Sequence, residues 1–210
     1  MIFLIATGNL HKKIEFERIL LPLGIEIKTA KELGIDLPKI DESGATFEEN
    51  AVLKAKSGAK ISNLPTLADD SGICIDYLNN APGIFSARYS SSIRDEVSDK
   101  ENNEKVLSEL LGVPLEKRNA HYVCAVACVF PDGREIITRG ECHGHIGFEE
   151  RGKNGFGYDP LFLVNVEEGA IPDIPIGKKT FGEYSSEAKD KVSHRSRALI
   201  KLYEALKDEI

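Results

Sequence analysis

The chain opens on an unbroken apolar run, Ile2 to Ala6, which gives way at Thr7-Gly8-Asn9 to apolar residues at near-helical spacing, Ile14, Ile19 and Leu20. The run reads as a buried strand, and the recurrence after it as a helix over Leu10 to Leu21 that Pro22 and Gly24 stop. Glu26 to Thr29 alternates polar and apolar residues, as a short edge strand does. Thr46-Phe47-Glu48-Glu49 fits a capping box, and Ala51, Val52, Ala55 and Ala59 supply the inner stripe of a helix that runs to Ser62. A further helix is expected over Asp99 to Leu111, with Val106, Leu107, Leu110 and Leu111 inward and Gly112 and Pro114 ending it. Ala120 to Phe130 and Glu135 to Ile146 read as two long strands of a hairpin turning at Pro131-Asp132-Gly133. A short helix is expected over Ser186 to Lys191, and a last one begins at Ser193-His194-Arg195 and carries Ala198, Leu199, Leu202 and Leu206 on one face. Leu33 to Gly44, the polar stretch 90–99 and Ile171 to Gly177 read as loops.

At the centre of this pattern lies Pro65 to Tyr89, where the apolar Thr66-Leu67-Ala68 stops at Asp69 and Asp70, followed by Ser71-Gly72 and a second run, Ile73-Cys74-Ile75. Two acids at a strand end suit metal or proton chemistry, because ligands bind in the crevice outside strand ends of open α/β sheets. Successive strand residues point to opposite faces, so one acid is expected to face a cleft and the other to support the turn. Gly72 is expected to make a bend. Asp-Asp-Ser-Gly also reads as an ordinary hairpin turn.

Other candidate chemistry follows the same logic. The strand, polar turn and helix start at Ala6 to Lys12 can form an anion site, with backbone N–H groups and Lys12 as cation, although neither a dinucleotide fingerprint nor a P-loop is present. Lys54 follows the apolar Val52-Leu53 and either reaches a cleft or is solvated. Gly152 to Pro160, GKNGFGYDP, combines glycines that admit close backbone approach with Phe156 and Tyr158, which can stack on a flat ring.

Composition narrows the classes. A chain of 210 residues, 41% hydrophobic and 29% charged, can bury a substantial core as one domain or one domain with two lobes. The formal net charge of −7 argues against a nucleic-acid polymer as partner, while a small phosphorylated ligand needs only local cations. No segment approaches the length of a membrane span, so a cytoplasmic protein with no membrane partner is expected. Cys74, Cys124, Cys128 and Cys142 sit in apolar settings that suit reduced core thiols. Cys124, Cys128 and Cys142 with His143 and His145 lack the usual zinc spacing.

The ordered blocks ATGNLHK, ESGATFEENAVLKA, PTLADDSG, APGIFSARY, NGFGYDPLF, KTFGE and VSHRSRA, spanning residues 6 to 198, resemble the non-canonical purine nucleoside triphosphate pyrophosphatases, the inosine triphosphatase or Ham1-like family. The resemblance implies an α/β fold, a two-lobed single domain over 1–210 around a long mixed sheet flanked by helices, with a nucleotide cleft, as a homodimer. It implies magnesium-dependent hydrolysis of ITP, dITP and XTP to the monophosphate and pyrophosphate, which clears the nucleotide pool. A nucleotide-binding regulator without hydrolysis is the alternative, and the intact Glu42, Asp69 and Asp70 favour the enzyme. By resemblance Thr7, Gly8, Asn9, Leu10, His11 and Lys12 form the triphosphate loop, His11 standing where relatives vary, and Lys54 contacts phosphate. Glu42 and Asp70 match metal ligands, Asp70 also the catalytic proton acceptor, and Ser71 a substrate contact. Phe156, Gly157, Tyr158, Asp159, Lys189, His194 and Arg195 match base-recognition residues. The chemistry agrees: magnesium favours carboxylate and phosphate oxygens, and cations near position 6 favour an oxo acceptor over the amino donor of adenine.

Overall fold

The computed structural model describes residues 2–91, 97–165 and 178–207. The loop expected at Ile171 to Gly177 lies outside them, as does the middle of the polar stretch, 92–96. Six strands, β1 (Ile2–Ile5), β2 (Glu26–Thr29), β3 (Thr66–Ile75), β4 (Asn119–Val129), β5 (Glu135–Ile146) and β6 (Phe162–Val164), form one mixed sheet in the order β2-β1-β3-β4-β5-β6. β1 runs parallel to both β2 and β3, and β5 antiparallel to β6. The helices are α1 (Leu10–Leu20), α2 (Phe47–Ser62), α3 (Asp99–Glu109), α4 (Ser186–Asp190) and α5 (His194–Leu206).

The chain divides into two compact units. The first comprises 1–70, 124–140 and 194–210. Phe3 and Ile5 of β1, Phe16 and Leu20 of α1, Leu67 of β3, Val126 of β4 and Leu199 and Leu202 of α5 form its core. The second comprises 71–123 and 141–193, with Ile73, Val106, Leu110, Tyr122, Phe162, Phe181 and Tyr184 at its centre. The β4–β5 hairpin turns as expected: Phe130 N donates to Arg134 O, and Gly133, with φ of 89°, takes the left-handed position a Cβ disfavours.

Three expectations are corrected. β3 does not stop at the acids but runs unbroken through Asp69, Asp70, Ser71 and Gly72, so neither a strand end nor a hairpin lies there. What ends is its neighbour: β1 stops at Ile5, opposite Leu67, and the acids continue past it. Gly72 makes no left-handed bend; a Cβ there would collide with Gly83 O and Ser86 Oγ, so the glycine serves close packing of backbone on backbone. Ile14 is exposed, because α1 turns Glu15, Phe16 and Leu20 inward, and Leu111 lies beyond the end of α3 and is exposed too.

Helix α2 begins at Thr46, whose side chain accepts from Glu49 N, while Glu49 Oε2 accepts from Ala45 N rather than from the cap residue itself. Ala51, Ala55 and Ala59 are buried as expected, while Val52, the fourth residue of the expected stripe, is only half-buried.

Candidate active site

The loop after β1 is organised by Asn9, the N-cap of α1, whose side chain accepts from His11 N at 2.9 Å and Lys12 N at 3.2 Å. Thr7 Oγ1 accepts from Asn9 N at 3.2 Å. Two first-turn amides are thus engaged by the cap, so the group α1 offers an anion most directly is the Lys12 ammonium. Gly8, Leu10 and His11 are exposed, and space is open around Gly8.

Alternation along β3 sends the two acids to different partners. Asp69 is buried, and its Oδ2 receives Lys12 Nζ at 3.0 Å and Arg195 Nη2 at 3.1 Å, with Cys124 Sγ at 3.8 Å. Its Oδ1 is buried with no hydrogen-bond partner among the described residues. Arg195, at the start of α5, also bonds Glu15 of α1 through Nη1. Burial alone would raise the Asp69 carboxyl, but Lys12 and Arg195 outweigh it and hold the group well below the usual carboxylate range. Burial likewise opposes the Arg195 charge, and Asp69 and Glu15 reverse that, so both groups stay ionised.

Asp70 faces a second set. Its Oδ2 accepts from Asn50 Nδ2 at 3.2 Å, and its Oδ1 lies 3.3 Å from Lys54 Nζ, which also donates to Glu42 Oε1 at 2.8 Å. Asn50 Oδ1 accepts from Gly44 N at 2.8 Å, so one α2 amide ties the Glu42 loop to the acid on β3. Burial pushes the Asp70 carboxyl above its ordinary value against the pull of Lys54. A raised carboxylate is a better proton acceptor than an exposed one.

In the second unit, Asp159 organises the glycine-rich loop. Its Oδ2 receives Lys189 Nζ at 2.6 Å and Phe156 N at 3.0 Å, and its Oδ1 receives Tyr122 OH at 3.3 Å. Lys189 Nζ also lies over the Phe156 ring, 4.9 Å from its centroid. Gly155 has φ of 75°, and a Cβ there would collide with Asp159. Tyr158 is buried, its hydroxyl donating to Ser86 O at 2.7 Å.

The first unit therefore brings together Lys12, Asp69 and Arg195 in one cluster and Glu42, Lys54 and Asp70 in another; the second brings together Phe156, Asp159 and Lys189. Ser71 is partly exposed, and His194 is buried at the start of α5. The sequence assigns no role to Glu15 or Asn50, and Asp69, expected to face a cleft or support a turn, is instead the buried counter-charge of Lys12 and Arg195. An acid beside Phe16 on the inner face of α1 was a signal for Glu15; nothing in the pattern around Asn50 marks it.

The acids fit a divalent cation. One ammonium, that of Lys54, already touches both Glu42 and Asp70, and their oxygens are the donor type magnesium prefers. No three His, Cys, Asp or Glu side chains gather to hold a metal among the described residues. The four cysteines are buried thiols, and burial pushes that of Cys124 up to about 12. No helix among the described residues is long and apolar enough to cross a membrane.

The mixed-sheet α/β fold thus places lysines and acids together past the end of its first strand, groups that can bind phosphate oxygens and a cation. Residues 3–205 match the Ham1 family. The chain is 43% identical over 203 residues to the dITP/XTP pyrophosphatase of Bacillus subtilis, covering 97% of this chain and 96% of that one. A Ham1 protein from Coxiella burnetii superposes with a TM-score of 0.81 at 36% identity, covering 99% of both chains. The nucleoside-triphosphatase / dITP/XTP pyrophosphatase of Mycobacterium abscessus superposes at 0.71 with 40% identity, over 96% of this chain and 98% of that one. The chain belongs to the Ham1 family.

Proposed function

We propose that the protein hydrolyses non-canonical purine nucleoside triphosphates, dITP, ITP and XTP, at the anhydride next to the α-phosphate, releasing the monophosphate and pyrophosphate. The observation that carries the reading is the convergence of Glu42 and Asp70 on one cation, Lys54, in a chain 43% identical to a dITP/XTP pyrophosphatase.

Glu42 and Asp70 would hold Mg2+, which when bound neutralises charge on the triphosphate and the departing pyrophosphate. Lys12 and Lys54 bind phosphate oxygens, with Thr7 to His11 as the loop around them and Ser71 as a further contact. Asp70, its carboxyl raised by burial, accepts the proton of the attacking water. The new bond joins that water oxygen to the α-phosphorus, and the bond to the bridging oxygen of pyrophosphate breaks. Phe156 to Asp159, Lys189, His194 and Arg195 recognise the base; the ammonium of Lys189 over the Phe156 ring supports a stacking and donor role. A 6-oxo purine accepts where adenine donates, so a cation at that edge favours the oxo form.

The reading extends to a single functional domain, which the family match from 3 to 205 supports across both units, acting as a cytoplasmic homodimer. A substrate panel of dITP, XTP, dATP and dGTP, with and without Mg2+, tests it. Strong preference for dITP and XTP that requires the metal is expected; equal rates on all four, or rates unchanged by chelation, would refute it.

A further inference from the structure

The glycine-rich loop is held not only by Asp159 from within but also by helix α3 from outside. Gly157 N donates to Asp99 Oδ2 at 2.6 Å, and Asn103 Nδ2 donates to Gly157 O at 3.2 Å. Those two groups belong to different peptide planes, one before and one after the Gly157 Cα. Glycine is the residue with the freest backbone, and at φ of 61° this one stands where other residues rarely go. One acceptor and one donor from a single helix therefore fix both planes around this glycine joint of the loop. Asp99 and Asn103 are four residues apart and share a face of α3.

Asn103 is the buried half of this clamp, 2% exposed, and also donates to Glu150 Oε1 at 2.7 Å. Its Oδ1 is buried with no hydrogen-bond partner among the described residues, so the amide is oriented by what its nitrogen reaches. Rotation of either peptide plane at Gly157 would swing Phe156, whose ring faces Lys189, and Tyr158, whose hydroxyl is committed to Ser86.

We propose that Asp99 and Asn103 are specificity-positioning residues, which act through Gly157 to hold Phe156 and Lys189 in the geometry that separates 6-oxo from 6-amino purines. The inference rests on the base-recognition role proposed above for that loop. An arrangement that served only to anchor α3 would affect every substrate equally.

The test uses the full-length protein with Mg2+ and compares kcat/KM for dITP and dATP in wild type, Asp99→Ala, Asn103→Ala and Asp99→Asn. Both alanine variants should lose about tenfold on dITP and less than about twofold on dATP, so that the preference shrinks by roughly five- to tenfold. Asp99→Asn keeps an acceptor for Gly157 N and should stay within about twofold of wild type. Asp99 lies on the surface, so its alanine variant decides the matter even where Asn103→Ala fails to fold. A selective wild type whose preference survives in Asp99→Ala, or an equal loss on both nucleotides, would overturn this proposal alone. A wild type that does not prefer dITP would overturn the base-recognition reading, and this inference with it.

Discussion

Lys12 Nζ lies 3.0 Å from Asp69 Oδ2, so the lysine in the first turn of α1 is anchored on a buried carboxylate oxygen that it shares with Arg195. In the proposed phosphate-binding role, an ammonium fixed this way would meet a triphosphate with less side-chain freedom left to lose. Lys12→Ala should raise KM for dITP roughly tenfold or more, the loss of a charge-assisted hydrogen bond, while kcat changes little. A collapse of kcat at unchanged KM would contradict a binding role.

Asp70→Asn keeps the shape of the side chain but removes the charge and the basicity. Turnover should fall by at least about a hundredfold with nucleotide affinity nearly retained, as calorimetry on the variant would show. Near-normal turnover would remove Asp70 from the mechanism.

Arg195 is the counter-charge to two buried acids, Asp69 and Glu15. Arg195→Ala takes the guanidinium from both and leaves Lys12 as the close cation of Asp69; breaking a buried pair from one side costs about 3 to 5 kcal/mol. Urea unfolding should show a loss of that size. An unchanged midpoint would mean that water reaches the acids in the variant fold.

Glu32 gives a pH-dependent handle. Its carboxylate accepts from Thr29 N at 2.7 Å and from Lys13 Nζ at 2.9 Å, bonds that hold its pKa at about 2 against an ordinary 4.5. The ionised form is favoured in the fold, so the stabilisation is present above the unfolded value and lost as pH falls from 4.5 through about 2. The melting temperatures of wild type and Glu32→Gln should differ at pH 6 and converge toward pH 2. A constant gap across that range would contradict the assignment.

Much of the fold was legible because periodicity reports burial: β2 and β5 fall on the residues expected of them, α5 buries the stripe that spacing picked out, and α2 buries the three alanines of its own. The misreading of β3 has a clear cause. Asp-Asp-Ser-Gly carries turn propensities, and only tertiary ion pairs with Lys12, Arg195 and Lys54 make it possible to keep two acids inside a continuous strand. Glu15 was lost for the same reason, its partner lying 180 residues away on α5. Asp70 and Lys54 stand out in the sequence itself and Glu42 by resemblance, yet the tie between the Glu42 loop and Asp70 runs through Asn50, which no local pattern distinguishes.

In the proposed reaction water attacks the α-phosphorus rather than the β- or γ-phosphorus. Hydrolysis of dITP in 18O-labelled water, with the products separated and weighed by mass spectrometry, tests it most directly. One labelled oxygen in the monophosphate and none in the pyrophosphate is expected; label in the pyrophosphate, or orthophosphate as the first product, would rule out attack at the α-phosphorus.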